Sequence, residues 1–267
     1  MTRLAIIAGA GRLPAEIAQA CAGPPLVCAL EGTTPDGLAA DRHFRFERLS
    51  PFLHALGDDG VSAVILAGAM QRPALDPSLF DPATAALIPH LLPAMQQGDD
   101  ALLRAIIAVI EDHGLAVRGL AEVAPGLLAG AGVLGTREPD AGAQADAARA
   151  VALLDMLAPA DIGQGCVVAG GLCLGVETLY GTDAMLRFVS GNRASRHPQR
   201  GGVLVKRAKT GQERRVDLPA IGPETVAAAQ AARLTGIAVQ AGQVVVLDRA
   251  ETVARADAAG IALWSVP

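Results

Sequence analysis

The stretch DIGQGCVVAGGLCLGVETLYGTDAMLR, residues 161–187, decides the reading of this chain. Two apolar runs, 166–169 and 172–176, flank Gly170-Gly171, which predicts a β-hairpin closed by a two-residue turn. A polar loop follows. Gly181-Thr182-Asp183 then opens a helix, with Thr182 or Asp183 expected as N-cap ahead of Ala184, Met185 and Leu186. This spacing gathers Glu177, Thr182, Asp183 and Arg187 where a strand ends and a helix begins. The free N–H groups and partial positive charge of a helix start suit a phosphate.

Toward the N-terminus, an alanine-rich helix is expected over 140–157, preceded by a Gly-, Ala- and Pro-rich connection over 125–142. The chain therefore divides into an N-terminal domain of about 1–132 and a C-terminal domain of 133–267. The first opens as a βαβ unit. Residues 4–8 form a strand, Gly9-Ala10-Gly11 a turn, 14–22 a helix led by Pro14, and 26–30 a second strand followed by Glu31. A further strand over 62–67 ends at Gly68. Helices are predicted over 83–95 and 100–113, with Asp99 as cap of the second. The fold class is α/β in two domains: a Rossmann-like open parallel sheet, then a mixed α/β domain.

Toward the C-terminus, 191–201 reads as a polar basic loop and 203–206 as a strand leading to Lys209. Asp217 is placed at the end of a short strand before Pro219, with Arg214, Arg215, Lys206 and Lys209 near enough in sequence to keep it ionised. A helix over 223–234, strands over 237–239, 244–247 and 261–264, and a helix over 248–259 capped by Asp248 complete the chain.

Composition narrows the function. Apolar residues make up 51% and aromatics 3%, so the core must be built of Ala, Val, Leu and Ile. Net charge is −5, with no basic stripe and no aromatic stacking platform, which argues against nucleic acid as a partner. Cys21, Cys28, Cys166 and Cys173 form no C-x-x-C pair and lie in or beside apolar runs, so buried free thiols in a reducing cytosol are expected. No apolar run approaches the roughly 20 residues a membrane-spanning helix needs, and the N-terminus does not read as a signal peptide. The chain is expected to be soluble or to sit on a membrane surface. The five histidines show no metal-ligand spacing, and H-E-x-x-H, G-x-S-x-G and Walker A patterns are absent. Metal-assisted phosphoryl chemistry here would have to use carboxylates and water, as magnesium prefers.

Several residues carry two readings. Gly9 and Gly11 can cradle a phosphate, or belong with Glu31 to a dinucleotide site, although Pro14 stands where the third glycine of that fingerprint belongs. Arg72 is a phosphate clamp or a loop-holding surface arginine. Asp99 and Asp100 are a magnesium or substrate contact, or helix-start residues. The only two lysines, Lys206 and Lys209, lie three apart, which points to compact ammonium groups near a phosphate.

The quoted stretch also resembles a known family. DIGQG, GLCLGVE and GTDAMLR are similar to the C-terminal half of the UDP-2,3-diacylglucosamine pyrophosphatases of the LpxI type. IAGAGRLP at 7–14, GAMQRP at 68–73, GDDALLR at 98–104 and RVDLPAIG at 215–222 agree in the same order, over nearly the whole chain. The resemblance implies hydrolysis of UDP-2,3-diacylglucosamine by water to UMP and 2,3-diacylglucosamine 1-phosphate. It implies magnesium, with manganese possible, and a homodimer on the cytoplasmic face of the inner membrane. Asp217 is then the metal-binding acid, joined by Asp183 with Thr182. Lys209, Arg187 and Arg72 would neutralise phosphate oxygens, with Gln164, Asp99 and Asp100 as lesser contacts. The acyl chains are expected in a crevice between the domains. Two other classes stay open on the residues alone: a nucleotide- or NAD-dependent protein, and a non-catalytic glycolipid-binding module.

Overall fold

The computed structural model describes residues 3–70, 75–196, 199–209 and 211–267. The chain falls into two compact units. The first is Met1–Pro125 together with Glu213–Asp217, and the second is Gly126–Gln212 with Leu218–Pro267. Family-independent α/β patterning is realised in both.

The N-terminal unit contains β1 (Arg3–Ala8), α1 (Leu13–Ala20), β2 (Leu26–Leu30), β3 (Arg42–Phe44), α2 (Leu49–Asp58) and β4 (Val61–Ala67). It continues with α3 (Pro82–Gln97), α4 (Asp99–Asp112), β5 (Ala116–Val117) and α5 (Leu120–Val123). Its strands are all parallel, in the order β3-β2-β1-β4-β5. The direction of winding reverses between β1 and β4, the switch point of a doubly wound sheet. Ala5, Ile7, Val64, Leu53, Leu56 and Ile110 are among the buried side chains that seal the α2–α4 face. The helix α2 escaped the sequence reading, yet its buried Leu49, Phe52, Leu53 and Leu56 follow an i, i+3, i+4, i+7 pattern. Helix α4 starts one residue early. Gly98, at φ 118°, takes the N-cap expected of Asp99, because only glycine enters that backbone region readily.

The C-terminal unit contains α6 (Ala141–Leu157), β6 (Gly165–Ala169), β7 (Leu172–Val176), α7 (Gly181–Arg196), β8 (Val203–Lys206) and β9 (Ala220–Ile221). It ends with α8 (Pro223–Ala231), β10 (Gly236–Gln240), β11 (Val245–Val246), α9 (Arg249–Ala259) and β12 (Ala262–Val266). The main sheet has the order β12-β10-β8-β6-β7. Strands β12, β10 and β8 are parallel, whereas β6 runs antiparallel to β8 and to β7. Helices α7, α8 and α9 cover one face through Leu186, Val226 and Ala256, packed on Val167, Leu204 and Ile237. Helix α6 covers the other with Ala143, Ala147, Ala150 and Leu154 against Val203, Val205 and Trp264. Small side chains on α6 are what the alanine-rich sequence supplies.

The β6–β7 hairpin forms as expected. Gly170 and Gly171 have φ of 57° and 76°, the two positive values a mirror-image turn requires. The carboxylate of buried Asp146, on α6, accepts both turn N–H groups, from Gly170 at 3.0 Å and Gly171 at 2.7 Å. Asp140 caps α6 by accepting from Ala143 N at 2.7 Å.

Three expectations are corrected. Residues 191–196 continue α7 where a polar loop was expected. Arg193 explains this: its guanidinium is buried and donates to the carbonyls of Ala232, Gln199 and Gly201, so a polar residue is held from within. Thr182 and Asp183 both lie inside the first turn of α7 and are not its N-cap. Cys173 is exposed, while Cys28 and Cys166 are buried and Cys21 is partly so; all four are free.

Candidate functional site

In the N-terminal unit the two glycine turns after β1 and β4 are zipped together. Gly9 N donates to Ala67 O at 2.7 Å, and Ala10 and Ala69 exchange N–H···O bonds of 2.8 and 2.9 Å. A Cβ on Gly9 would stand 2.6 Å from Ala69 O, and one on Gly68 would stand 2.7 Å from Ala10 O. These glycines are therefore required by the close approach of two backbones. Gly11, at φ 90°, has open space around its missing side chain. Glu31 is engaged by Arg45 at 2.6 Å. Arg72 lies outside the described residues.

Asp217 reaches this unit on a returning segment. Glu213 N donates to Asp100 Oδ1 at 2.8 Å, and Arg104 Nε donates to Asp100 Oδ2 at 2.8 Å. The guanidinium of Arg215 is shared by Glu213, at 3.0 Å, and Glu111, at 2.8 Å. Gly119 leaves room for it, since a Cβ there would lie 3.3 Å from Arg215 Cα. The hydrogen bonds from Arg215 pull the Glu213 carboxyl below its usual range. Arg215 thus braces the segment from the side. Val216 N and Asp217 N both donate to Glu213 O, so Asp217 follows a turn. It does not end a strand, because this turn closes directly ahead of Pro219 and the short β9. Asp100, expected as a lesser substrate contact, is the anchor of this segment.

Beside Asp217 the unit holds an apolar pocket of about 380 Å³. Ile7, Leu30, Phe44, Leu66, Leu102 and Ile106 line it, and Val216 and Asp217 border it. It is a carboxylate next to an apolar cavity, within one unit.

In the C-terminal unit the predicted residues form two groups. Gln164 Nε2 donates to Gln212 Oε1 at 3.1 Å, and Lys209 N donates to the same oxygen at 3.0 Å. Lys209 Nζ reaches Asp161 Oδ1 at 2.8 Å, an ion pair whose acid is largely in solvent. Such pairs are worth little and yield readily to a stronger anion. The second group is buried. Thr182 Oγ1 donates to Glu177 Oε2 at 2.8 Å, and Lys206 Nζ donates to Thr182 Oγ1. Asp183 and Arg187 are exposed one turn apart on α7. Lys206 and Glu177 are the residues sequence reasoning undervalued. Their signal was the scarcity of lysine in the chain and the acid that closes GLCLGVE.

Among the described residues, no three of His, Cys, Asp and Glu gather into a metal cluster. Asp217 and Asp183 are instead single carboxylates. Each by itself is a donor of the kind magnesium uses, since that ion takes one or two carboxylates and completes its shell with substrate phosphates and water.

Residues 3–127 match the model of the LpxI N-terminal domain and residues 130–264 that of the LpxI C-terminal domain. This chain belongs to the LpxI family. It is 37% identical over 276 residues to the UDP-2,3-diacylglucosamine pyrophosphatase LpxI of Caulobacter vibrioides, covering 100% of this chain and 98% of that protein. The two LpxI domain matches cover both glycine turns, the hairpin, the α7 start and the RVDLP segment. Among the described residues, no helix of this LpxI chain is long and apolar enough to cross a membrane.

Proposed function

We propose that this chain hydrolyses the pyrophosphate bond of UDP-2,3-diacylglucosamine in lipid A biosynthesis, releasing UMP and 2,3-diacylglucosamine 1-phosphate. The full-length identity to the Caulobacter pyrophosphatase carries the reading. The pocket beside Asp217 supports it independently, because a diacylated substrate needs an aliphatic cavity next to a charged reacting group.

Breaking a phosphoanhydride needs charge neutralisation and in-line placement of water more than covalent help. Asp217 holds magnesium in this reading and orients the attacking water; manganese is the substitute metal. Asp183 is the second metal carboxylate. A metal held there would supply positive charge against the pyrophosphate. Lys209 leaves Asp161 to neutralise phosphate, with Arg187 and Arg72 as further cations. N–H groups in the first turn of α7 add donors that need no side chain. The substrate resides in a bilayer, so the protein docks on the cytoplasmic face of the inner membrane. Leu179 and Tyr180, 92% and 83% exposed ahead of α7, are apolar groups suited to that contact. The working state is a homodimer in this reading.

The test is UMP release from UDP-2,3-diacylglucosamine with magnesium, comparing wild type with Asp217→Asn. Loss of roughly 100-fold or more in kcat by a folded variant is expected for removal of a metal-holding carboxylate. Full turnover by Asp217→Asn would remove that assignment. Calorimetry with NAD(P) and UDP-sugars separates the nucleotide-binding alternative, and metal-independent glycolipid binding without turnover would mark a binding module.

A further inference from the structure

Three separated motifs meet in one buried cluster of the C-terminal unit. Gly165, from DIGQG, opens β6 and lies in register with Lys206 at the end of β8. Glu177, from GLCLGVE, donates its N–H to Gly165 O at 2.8 Å. A Cβ on Gly165 would come within 2.5 Å of Glu177 Oε2, so the sheet is hollowed there to admit the carboxylate. Thr182, from GTDAMLR, donates to that oxygen at 2.8 Å. Lys206 Nζ stands 3.8 Å from it and also donates to the threonine hydroxyl. Thr182 and Lys206 are only 8% and 7% exposed.

The chemistry of these groups sets a polarity. An ammonium has no acceptor lone pair, so the hydroxyl must accept from Lys206. A hydroxyl has one proton, and Glu177 takes it. What Thr182 retains is a lone pair, which repels a phosphate oxygen and accepts from water. Stability alone is a weak reason for such a cluster, since burying an ion pair costs about as much desolvation as its attraction returns.

We propose that Lys206 is a positioning residue for the reaction: with Glu177 it turns the Thr182 hydroxyl so that it meets bound water as an acceptor, not a phosphate as a donor. The inference rests on the hydrolase reading and assigns Thr182 a role opposite to phosphate binding. Lys206 acts through Thr182 and leaves phosphate neutralisation to other cations.

The experiment measures kcat, KM and melting temperature for full-length wild type, Thr182→Ser, Thr182→Val, Lys206→Met and Lys206→Met/Thr182→Val. Thr182→Ser keeps the hydroxyl and is expected to retain most of the kcat that Thr182→Val loses. Thr182→Val and Lys206→Met are each expected to lower kcat about tenfold or more with KM within about twofold. The double variant should fall no further than the worse single, because both changes break one linkage. Lys206→Met strands a largely covered carboxylate, 12% exposed, and can unfold, so Lys206→Met/Glu177→Gln, which removes both charges, is measured beside it. The same loss of kcat in that folded pair supports the proposal. Multiplying losses, a several-fold rise in KM for Thr182→Val or Lys206→Met, or full kcat in the folded charge-free pair would overturn it. Absence of UMP release by wild type overturns the hydrolase reading and this inference together, whereas wild-type turnover with multiplying losses overturns this inference alone.

Discussion

Cys166 and Cys173 lie 4.0 Å apart on the hairpin, yet their surroundings make them different reagents. Burial, then the neighbouring sulfur, pushes the Cys166 thiol up to about 12, and burial pushes Cys28 up to about 11. A thiol is nucleophilic only as the thiolate. Iodoacetamide at pH 8 is therefore expected to modify exposed Cys173 first and to spare Cys28 and Cys166 until the chain unfolds, as peptide mass mapping with and without urea would show. Prompt labelling of Cys166 in the native protein would contradict this. The sequence predicted all four thiols buried, which holds for Cys28 and Cys166 and in part for Cys21. It missed Cys173 because β7 is the edge strand of its sheet, and alternation along a strand does not tell an edge from a centre.

The hairpin and the returning segment are both held by acids, one for the hairpin and several for the segment. Asp146 satisfies both turn amides of the hairpin from a neighbouring helix. Asp146→Ala leaves two N–H groups without that acceptor and is expected to cost about 1–3 kcal/mol, read as a lowered urea midpoint. An unchanged midpoint would show that water replaces the carboxylate at no cost. Glu213 acts likewise for the Asp217 segment. Its folded-state pKa is depressed by Arg215, so it stabilises the fold above its unfolded value, about 4.3, and that contribution is lost as pH falls further. Urea midpoints between about pH 6 and pH 3 should decline less steeply for Glu213→Gln than for wild type. Equal slopes would place the acid sensitivity elsewhere. Period and turn residues made the hairpin legible. Nothing local could reveal Asp146, 24 residues upstream of its partner, or the buried clamp by Arg193 that extends α7.

At the scale of the whole molecule, exposed Leu179, Tyr180 and Phe188 bear on where the protein works. Wild type is expected to float with anionic-lipid vesicles, and Leu179→Asp/Tyr180→Ser to float less while its melting temperature stays level; wild type wholly free of lipid would count against membrane docking. The division of labour between sequence and structure also shows here. Parallel α/β patterning, both glycine turns, the hairpin and the specific GTDAMLR and VDLP motifs follow from short-range periodicity and local chemistry, which a sequence displays directly. The family follows from those motifs. Three things depend on contacts far apart in the chain. Gly9 and Gly68 are glycines because two backbones touch, which no phosphate explains. Asp100 anchors Glu213 across 113 residues and so sets Asp217 beside an apolar pocket of the N-terminal unit. Lys206 and Glu177 become partners only when β8 and β6 pair. Burial and donor–acceptor matching are properties of the packed chain, and packing decides which of two lysines three apart is sealed against a threonine and which pairs with the exposed carboxylate of Asp161.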